Sequence, residues 1–180
     1  MSTATTPMVI VLMGVSSSGK STIGLKLAEL LRWPFRDADS FHPPANIAKM
    51  SRGIPLEDTD RWPWLDAIAA WIEAQLSQGQ SGLVSCSALK KSYRRRIIGD
   101  RNNVRLVYLR GSFELISERM QCRHEHFMPL SLLQNQFDVL EEPSADENAL
   151  VVSIAQPAER VAQTIIAELG LSGASAGPRR

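Results

Sequence analysis

The chain has 180 residues, enough for one domain with a substantial core and too few for two of ordinary size. Twenty basic residues face nineteen acidic ones, for a formal charge of +1 at pH 7; this is not the strongly basic surface that binds a duplex, and no nucleic-acid partner is expected. Only two cysteines occur, without CxxC spacing, the N-terminus is not leader-like, and no apolar run nears the roughly 18–20 residues of a membrane span, so a cytoplasmic protein with no membrane partner is expected.

Residues 1–7 read as an N-terminal extension. The apolar run "MVIVLM" (8–13) reads as a buried strand that opens into "GVSSSGKST". Gly14, Gly19, Lys20 and Ser21 fit G-x-x-x-x-G-K-[ST], the loop whose backbone N–H groups cradle nucleotide phosphates. The whole stretch Gly14, Val15, Ser16, Ser17, Ser18, Gly19, Lys20, Ser21 and Thr22 is therefore expected to bind a nucleotide's phosphates. Lys20 would span the β- and γ-phosphates as a catalytic cation, and the Ser21 hydroxyl would ligate Mg²⁺.

Ile23, Leu27 and Leu30 recur at helical spacing, and a weaker strand follows around "PFRDAD" (34–39). Asp37 and Asp39 are two apart, and in extended chain both carboxylates face one way. Asp37 is assigned to the metal shell, and Asp39 to orienting an attacking hydroxyl toward the γ-phosphate. The polar insert beyond, about residues 40–80, supplies the acceptor candidates His42, Lys49, Arg52 and Arg61. Arg61 stands at a helix start, where its planar fork suits a carboxylate. Pro63 is placed near that helix start, and Trp62, Trp64 and Trp71 read as packing.

After Leu65, Ile68, Ile72 and Leu76 at helical spacing, the run "GLVSCS" (82–87) reads as a third strand, with Ser85, Ser87 and Lys90 at its end; Ser87 and Lys90 join the acceptor candidates. The arginines of "SYRRRIIGDR" read as a solvated helix face. "VRLVYL" (104–109) is a fourth strand and "ALVVSI" (149–154) a fifth. Between them lies a candidate helical lid, about residues 119–140, in which Arg119 and Arg123 share one helix face. Arg119 is expected on the nucleotide, and Arg123 on the transferring phosphoryl group. His124 and His126 complete no zinc site. Val161, Ile165 and Leu169 mark a last helix, and "SGASAGPRR" (172–180) reads as a mobile tail. The alternation predicts an α/β fold with a parallel sheet covered by helices.

These residues resemble the gluconokinase family of P-loop small-molecule kinases, related in fold to shikimate and adenylate kinases. The likeness runs from about Val9 to Leu169 through "GVSSSGKST", "DADSFHPPANIAKMSRGIPLEDTDRWPWL", "SCSALKKSYRR" and "RHEHFMPLSLLQNQFDVLEEP". The resemblance implies a P-loop kinase domain over residues 8–171, a five-stranded parallel sheet with a mobile lid, and commonly a homodimer. It also implies the reaction of ATP with D-gluconate to give ADP and 6-phosphogluconate, with Mg²⁺ required. The residues alone leave open a same-fold kinase of another small hydroxy acid such as shikimate or of a nucleoside monophosphate, or a nucleotide-binding regulator without turnover. Two departures stand out: Ser17 replaces the first glycine of the usual Gly-Ser-Gly-Lys, and "DAD" replaces "DGD". Ser17 is expected to need a positive φ that a residue with a Cβ adopts reluctantly.

Overall fold

The computed structural model describes residues 6–122 and 130–172. The expectations placed on Arg123, His124 and His126, on residues 1–5 and on residues 173–180 lie outside the described residues. In chain order the elements are β1 (Val9–Met13), α1 (Lys20–Leu31), β2 (Phe35–Asp37), a 3-10 turn (Ala38–Phe41), α2 (Pro44–Ser51), α3 (Asp58–Ser77), β3 (Gly82–Ser85), α4 (Lys91–Ile98), β4 (Val104–Arg110), α5 (Phe113–Gln121), α6 (Leu130–Val139), a short 3-10 turn (Ala145–Glu147), β5 (Leu150–Ser153) and α7 (Ala158–Glu168). The five strands form one parallel sheet in the order β2-β3-β1-β4-β5.

All five residues of the central strand β1 are fully buried, because its alternate side chains enter different cores. Ile10 and Leu12 join Leu27 of α1, Ile116 of α5, Leu133 of α6 and Ile165 of α7 on one face. Val9, Val11 and Met13 join Leu65, Ile68 and Ile72 of α3 and Ile97 of α4 on the other. Continuous apolar runs are the expected signature of strands covered on both sides. β5 departs from that reading: it is an edge strand, and Val151 is 47% exposed. Gly24 sits inside α1 because Phe35 of β2 packs over it; a Cβ there would lie 2.3 Å from the ring.

Two local expectations are corrected. Pro63 lies inside α3 rather than at its start, because the helix begins at Asp58 behind a reciprocal cap in which Glu57 and Asp60 bond each other's backbone N–H. Arg94 is not on a wet face. Its side chain is 1% exposed, pairs with Glu147 through Nε at 2.5 Å, and donates through Nη1 to the carbonyls of Ala88 and Leu89 at 3.0 and 3.1 Å. Its neighbours Arg95 and Arg96 are exposed as expected.

Because every strand runs the same way, all five carboxyl ends meet at one edge of the sheet. The segments 14–19, 38–43, 86–90 and 111–112 follow β1 to β4 there. In an open parallel sheet this edge, where the chain reverses its direction of winding about β1, is where ligands bind.

Candidate active site

The loop between β1 and α1 is held by its own backbone. Gly14 has φ 154, and a Cβ there would fall 2.7 Å from Ser18 Oγ and 3.0 Å from the Leu109 carbonyl. Gly19, at φ 91, ends the loop immediately before α1. Ser17 has φ 62, the left-handed conformation expected of it; for a residue with a Cβ this costs on the order of 1–2 kcal/mol. Lys20 folds back so that Nζ donates to the carbonyls of Gly14 and Val15, both at 2.9 Å. Burial depresses the pKa of this ammonium, with Cys86, Asp39 and Asp37 pulling it back up. Ser18 Oγ is buried without a hydrogen-bond partner among the described residues.

Two carboxylates join the loop. Ser21 Oγ donates to Asp37 Oδ2 at 2.8 Å, and the Asp39 backbone N–H donates to Asp37 Oδ1 at 3.1 Å. They meet for a reason other than strand alternation: β2 stops at Asp37, whose side chain caps the 3-10 turn that carries Asp39. Both line a cleft of about 540 Å³ together with Ser16, Ser17, Lys20, Ser21, Thr22 and Ser87. Ser85, paired in register with Asp37, also lines it, and its buried Oγ has no hydrogen-bond partner among the described residues. A second cleft of about 440 Å³ also borders the loop, lined by Ser17, Gly19 and Thr22 together with Arg119. Arg119 reaches across it to donate through Nη2 to the Ile154 carbonyl.

The cationic candidates divide into two groups. Lys90 Nζ donates to both oxygens of Asp58 at 3.0 Å, and Tyr93 OH donates to Asp58 Oδ1. Arg61 Nη1 donates to Tyr93 OH at 3.0 Å and lies 3.7 Å from Asp58. Tyr93 and then Lys90 hold the Asp58 carboxyl below its ordinary range. Two cations thus share one carboxylate. Lys49 and Arg52 are committed elsewhere, Lys49 to Asp60 at 2.7 Å and Arg52 to the Ala48 carbonyl at 3.0 Å. His42 bridges the two sets: its backbone N–H donates to the Asp39 carbonyl at 3.3 Å, and its ring feels the charges of both Asp39 and Arg61.

A profile of the shikimate kinase family matches residues 16–169. The thermosensitive gluconokinase of Escherichia coli is 44% identical over 162 residues, covering 87% of each chain. Among solved structures, a gluconokinase from Sinorhizobium meliloti superimposes with a TM-score of 0.80 at 45% identity, over 91% of this chain and 94% of that one. A sugar kinase from a Janibacter species does so with a TM-score of 0.84 at 43% identity, over 92% and 95%. The chain belongs to the gluconokinase family.

In this gluconokinase-family chain four residues join the site that sequence reasoning passed over. Gln136 of α6 accepts from the Ser16 N–H at 2.7 Å and donates to Ser16 Oγ at 2.9 Å, tying the lid segment to the phosphate loop across 120 residues. A lone glutamine on an amphipathic helix carries no signal by itself. Asp58 and Tyr93 organise Arg61 and Lys90. Their spacing in sequence, 35 residues, hides the contact. Asn46 is 3% exposed and is the only buried residue of α2, while the apolar Ile47 and Met50 of the same helix are exposed; the apolar pattern of the segment therefore gave no signal for it.

Proposed function

We propose that this protein transfers the γ-phosphoryl group of ATP to the terminal hydroxyl of D-gluconate, giving 6-phosphogluconate. The observation that carries the reading is the Ser21–Asp37 hydrogen bond, which brings the phosphate loop and the Asp37/Asp39 pair into one cleft. Loop N–H groups from Gly14 to Thr22 bind the phosphates, and Lys20, whose Nζ lies on the Gly14 and Val15 carbonyls of the same loop, supplies positive charge to the transferring group. The cleft bearing Arg119 takes the rest of the nucleotide. Asp39, exposed at the cleft mouth, orients the acceptor hydroxyl and receives its proton. Arg61 and Lys90 take the acceptor carboxylate at the far end, and His42 lies between the two ends. Arg123 is assigned to the lid that closes over ATP.

The donors present fit Mg²⁺: the Ser21 hydroxyl, the Asp37 carboxylate and the orphaned Ser85 hydroxyl are hard oxygens on neighbouring strands and helix. Among the described residues no group of three or more His, Cys, Asp and Glu side chains gathers in one place, which suits an ion that keeps waters and phosphate oxygens in its shell. When bound, Mg²⁺ neutralises the charge that develops on the phosphates.

We place the enzyme in the cytoplasm as a homodimer. Its cysteines Cys86 and Cys122 are both free thiols, and the exposed apolar side chains Ile47, Met50 and Ile54 offer a surface that association would cover. Light scattering at micromolar concentration reads the dimer. An ADP-release assay with gluconate, shikimate, other sugar acids and nucleoside monophosphates tests the reaction itself. Gluconate should be used at least about 100-fold better than any other acceptor by kcat/KM. Equal or better use of shikimate would move the chain to its sister activity, and no acceptor-dependent turnover would leave a nucleotide-binding regulator.

A further inference from the structure

Asn46 is 3% exposed, and among the described residues its side chain hydrogen-bonds neither the phosphate loop nor a carboxylate. Its Nδ2 donates to the backbone carbonyl of Asp60 at 2.9 Å and lies 3.3 Å from Nδ1 of His42. A carbonyl oxygen only accepts, so the amide atom facing it is the NH₂ group, and this settles which way the side chain is turned. The second hydrogen of that NH₂ then points at His42 Nδ1, which must offer a lone pair. The neutral ring consequently carries its proton on Nε2. A doubly protonated ring would set an N–H against the amide N–H, in a site where burial already disfavours the cation.

The ring is fixed in its other degrees of freedom as well. His42 stacks on Trp64 with centroids 4.4 Å apart and planes 12° from parallel. Trp64 is itself anchored, because its Nε1 donates to the Ala38 carbonyl at 2.7 Å, at the start of the turn that carries Asp39. Stacking sets the plane of the imidazole, and Asn46 sets its rotation in that plane. The charged groups that act on His42 are Asp39 from the 3-10 turn and Arg61 from α3.

We infer that Asn46 is a positioning residue, which locks His42 as a neutral imidazole presenting Nε2–H to a hydroxyl of the acceptor. This rests on the gluconate reading of the cleft and adds a division of labour to it. A histidine that holds its proton on Nε2 donates from that nitrogen to a polyol oxygen but cannot take a proton there, which leaves Asp39 as the base. A neutral donor also does not compete with Arg61 and Lys90 for the acceptor carboxylate, so the anionic and the hydroxylated parts of the acceptor are read by different groups.

The test is ¹⁵N NMR of the histidine rings in the full chain. There are only three histidines, and His42→Gln assigns the signal. In the wild type at pH 7.5 without ligand, His42 Nδ1 should resonate as the unprotonated, pyridine-type nitrogen and Nε2 as the protonated one. The reverse pattern overturns the inference. Adding gluconate should shift the Nε2 signal, and Asn46→Ala should mix the tautomers while raising the KM for gluconate about tenfold, with kcat within about threefold. Asn46→Asp, whose carboxylate only accepts, should move the proton to Nδ1 and weaken gluconate binding similarly. A His42 signal indifferent to gluconate, or an Asn46→Asp protein with wild-type KM, would show that the lock has no bearing on the acceptor even though gluconate is phosphorylated. Failure of the wild type to phosphorylate gluconate would instead sink the gluconate reading, and with it the acceptor-binding role of His42; the tautomer in the unliganded protein would still report whether Asn46 sets it.

Discussion

Asp39 and Cys86 line the same cleft and illustrate how environment divides the work among titratable groups. Asp39 is exposed and its carboxylate makes no hydrogen bond among the described residues, so it is free to meet a hydroxyl. Asp39→Asn should lower kcat by roughly 10²–10⁴-fold while ATP still binds, which equilibrium titration with the nucleotide will show. Cys86 is the opposite case. Burial pushes its thiol up to about 12, with an Ala88 backbone hydrogen bond and the Lys20 charge opposing the shift. An acid whose folded pKa is raised keeps its proton in the native state while the unfolded chain releases it. Its contribution to stability is therefore present below the ordinary value of 9.0 and is lost as pH rises toward about 12. In the native protein at pH 8, iodoacetamide should modify the exposed Cys122 and spare Cys86, with mass spectrometry reading both sites. Cys86 reacting as fast as Cys122 would mean that the cleft floor opens.

Among the elements, α4 carries the least expected feature. Three consecutive arginines, Arg94 to Arg96, read as one solvated face, but only two of them are at the surface. Tyr93, Arg94 and Ile97 share the buried side, and that position makes the Arg94 charge a structural member. Its guanidinium holds the Ala88–Leu89 turn at the end of β3 and binds Glu147 ahead of β5. Burial alone would raise the Glu147 carboxyl, yet the bonds from Arg94 and from Ser144 hold it below its ordinary value. Removing one partner leaves the other charge buried and unpaired, which costs far more than the pair itself contributes. Glu147→Ala should thus destabilise the fold by about 3 kcal/mol and lower Tm by roughly 6–12 °C. A thermal melt that moves by less than about 2 °C would show that water reaches Arg94.

On the scale of the whole molecule, the cleft exists only because distant segments converge. The residues proposed for the two ends of the acceptor come from separate elements, Asp39 from the turn after β2 and Arg61 and Lys90 from the starts of α3 and α4. Asp58 holds the two cations together without neutralising both, so a carboxylate arriving there finds a net positive charge. Glucose, which lacks that group, should be a poorer substrate than gluconate by about 100-fold or more in kcat/KM. Arg61→Ala should erase most of that preference by harming gluconate, and steady-state kinetics with both sugars decides it. Preserved discrimination in the variant would transfer the carboxylate to Lys90 alone.

The sheet, its helices and the phosphate loop were legible in the sequence because each has a local cause. Apolar runs of four to seven residues make buried strands, a 3.6-residue period makes covering helices, and a loop that must wrap phosphates needs glycines and a lysine at set spacings. The positive φ of Ser17 followed from the same local logic. Asp37 and Asp39 were found, but for a strand-alternation reason that the early end of β2 replaces with a side-chain cap. Which polar side chain meets which was decided only by the tertiary structure. Lys49 pairs with Asp60, Lys90 with Asp58, Arg94 with Glu147, and Gln136 with Ser16. Three of these four pairs join segments more than 30 residues apart, and a polar side chain satisfies itself with whatever the fold brings within hydrogen-bond reach, a proximity that spacing along the chain does not encode.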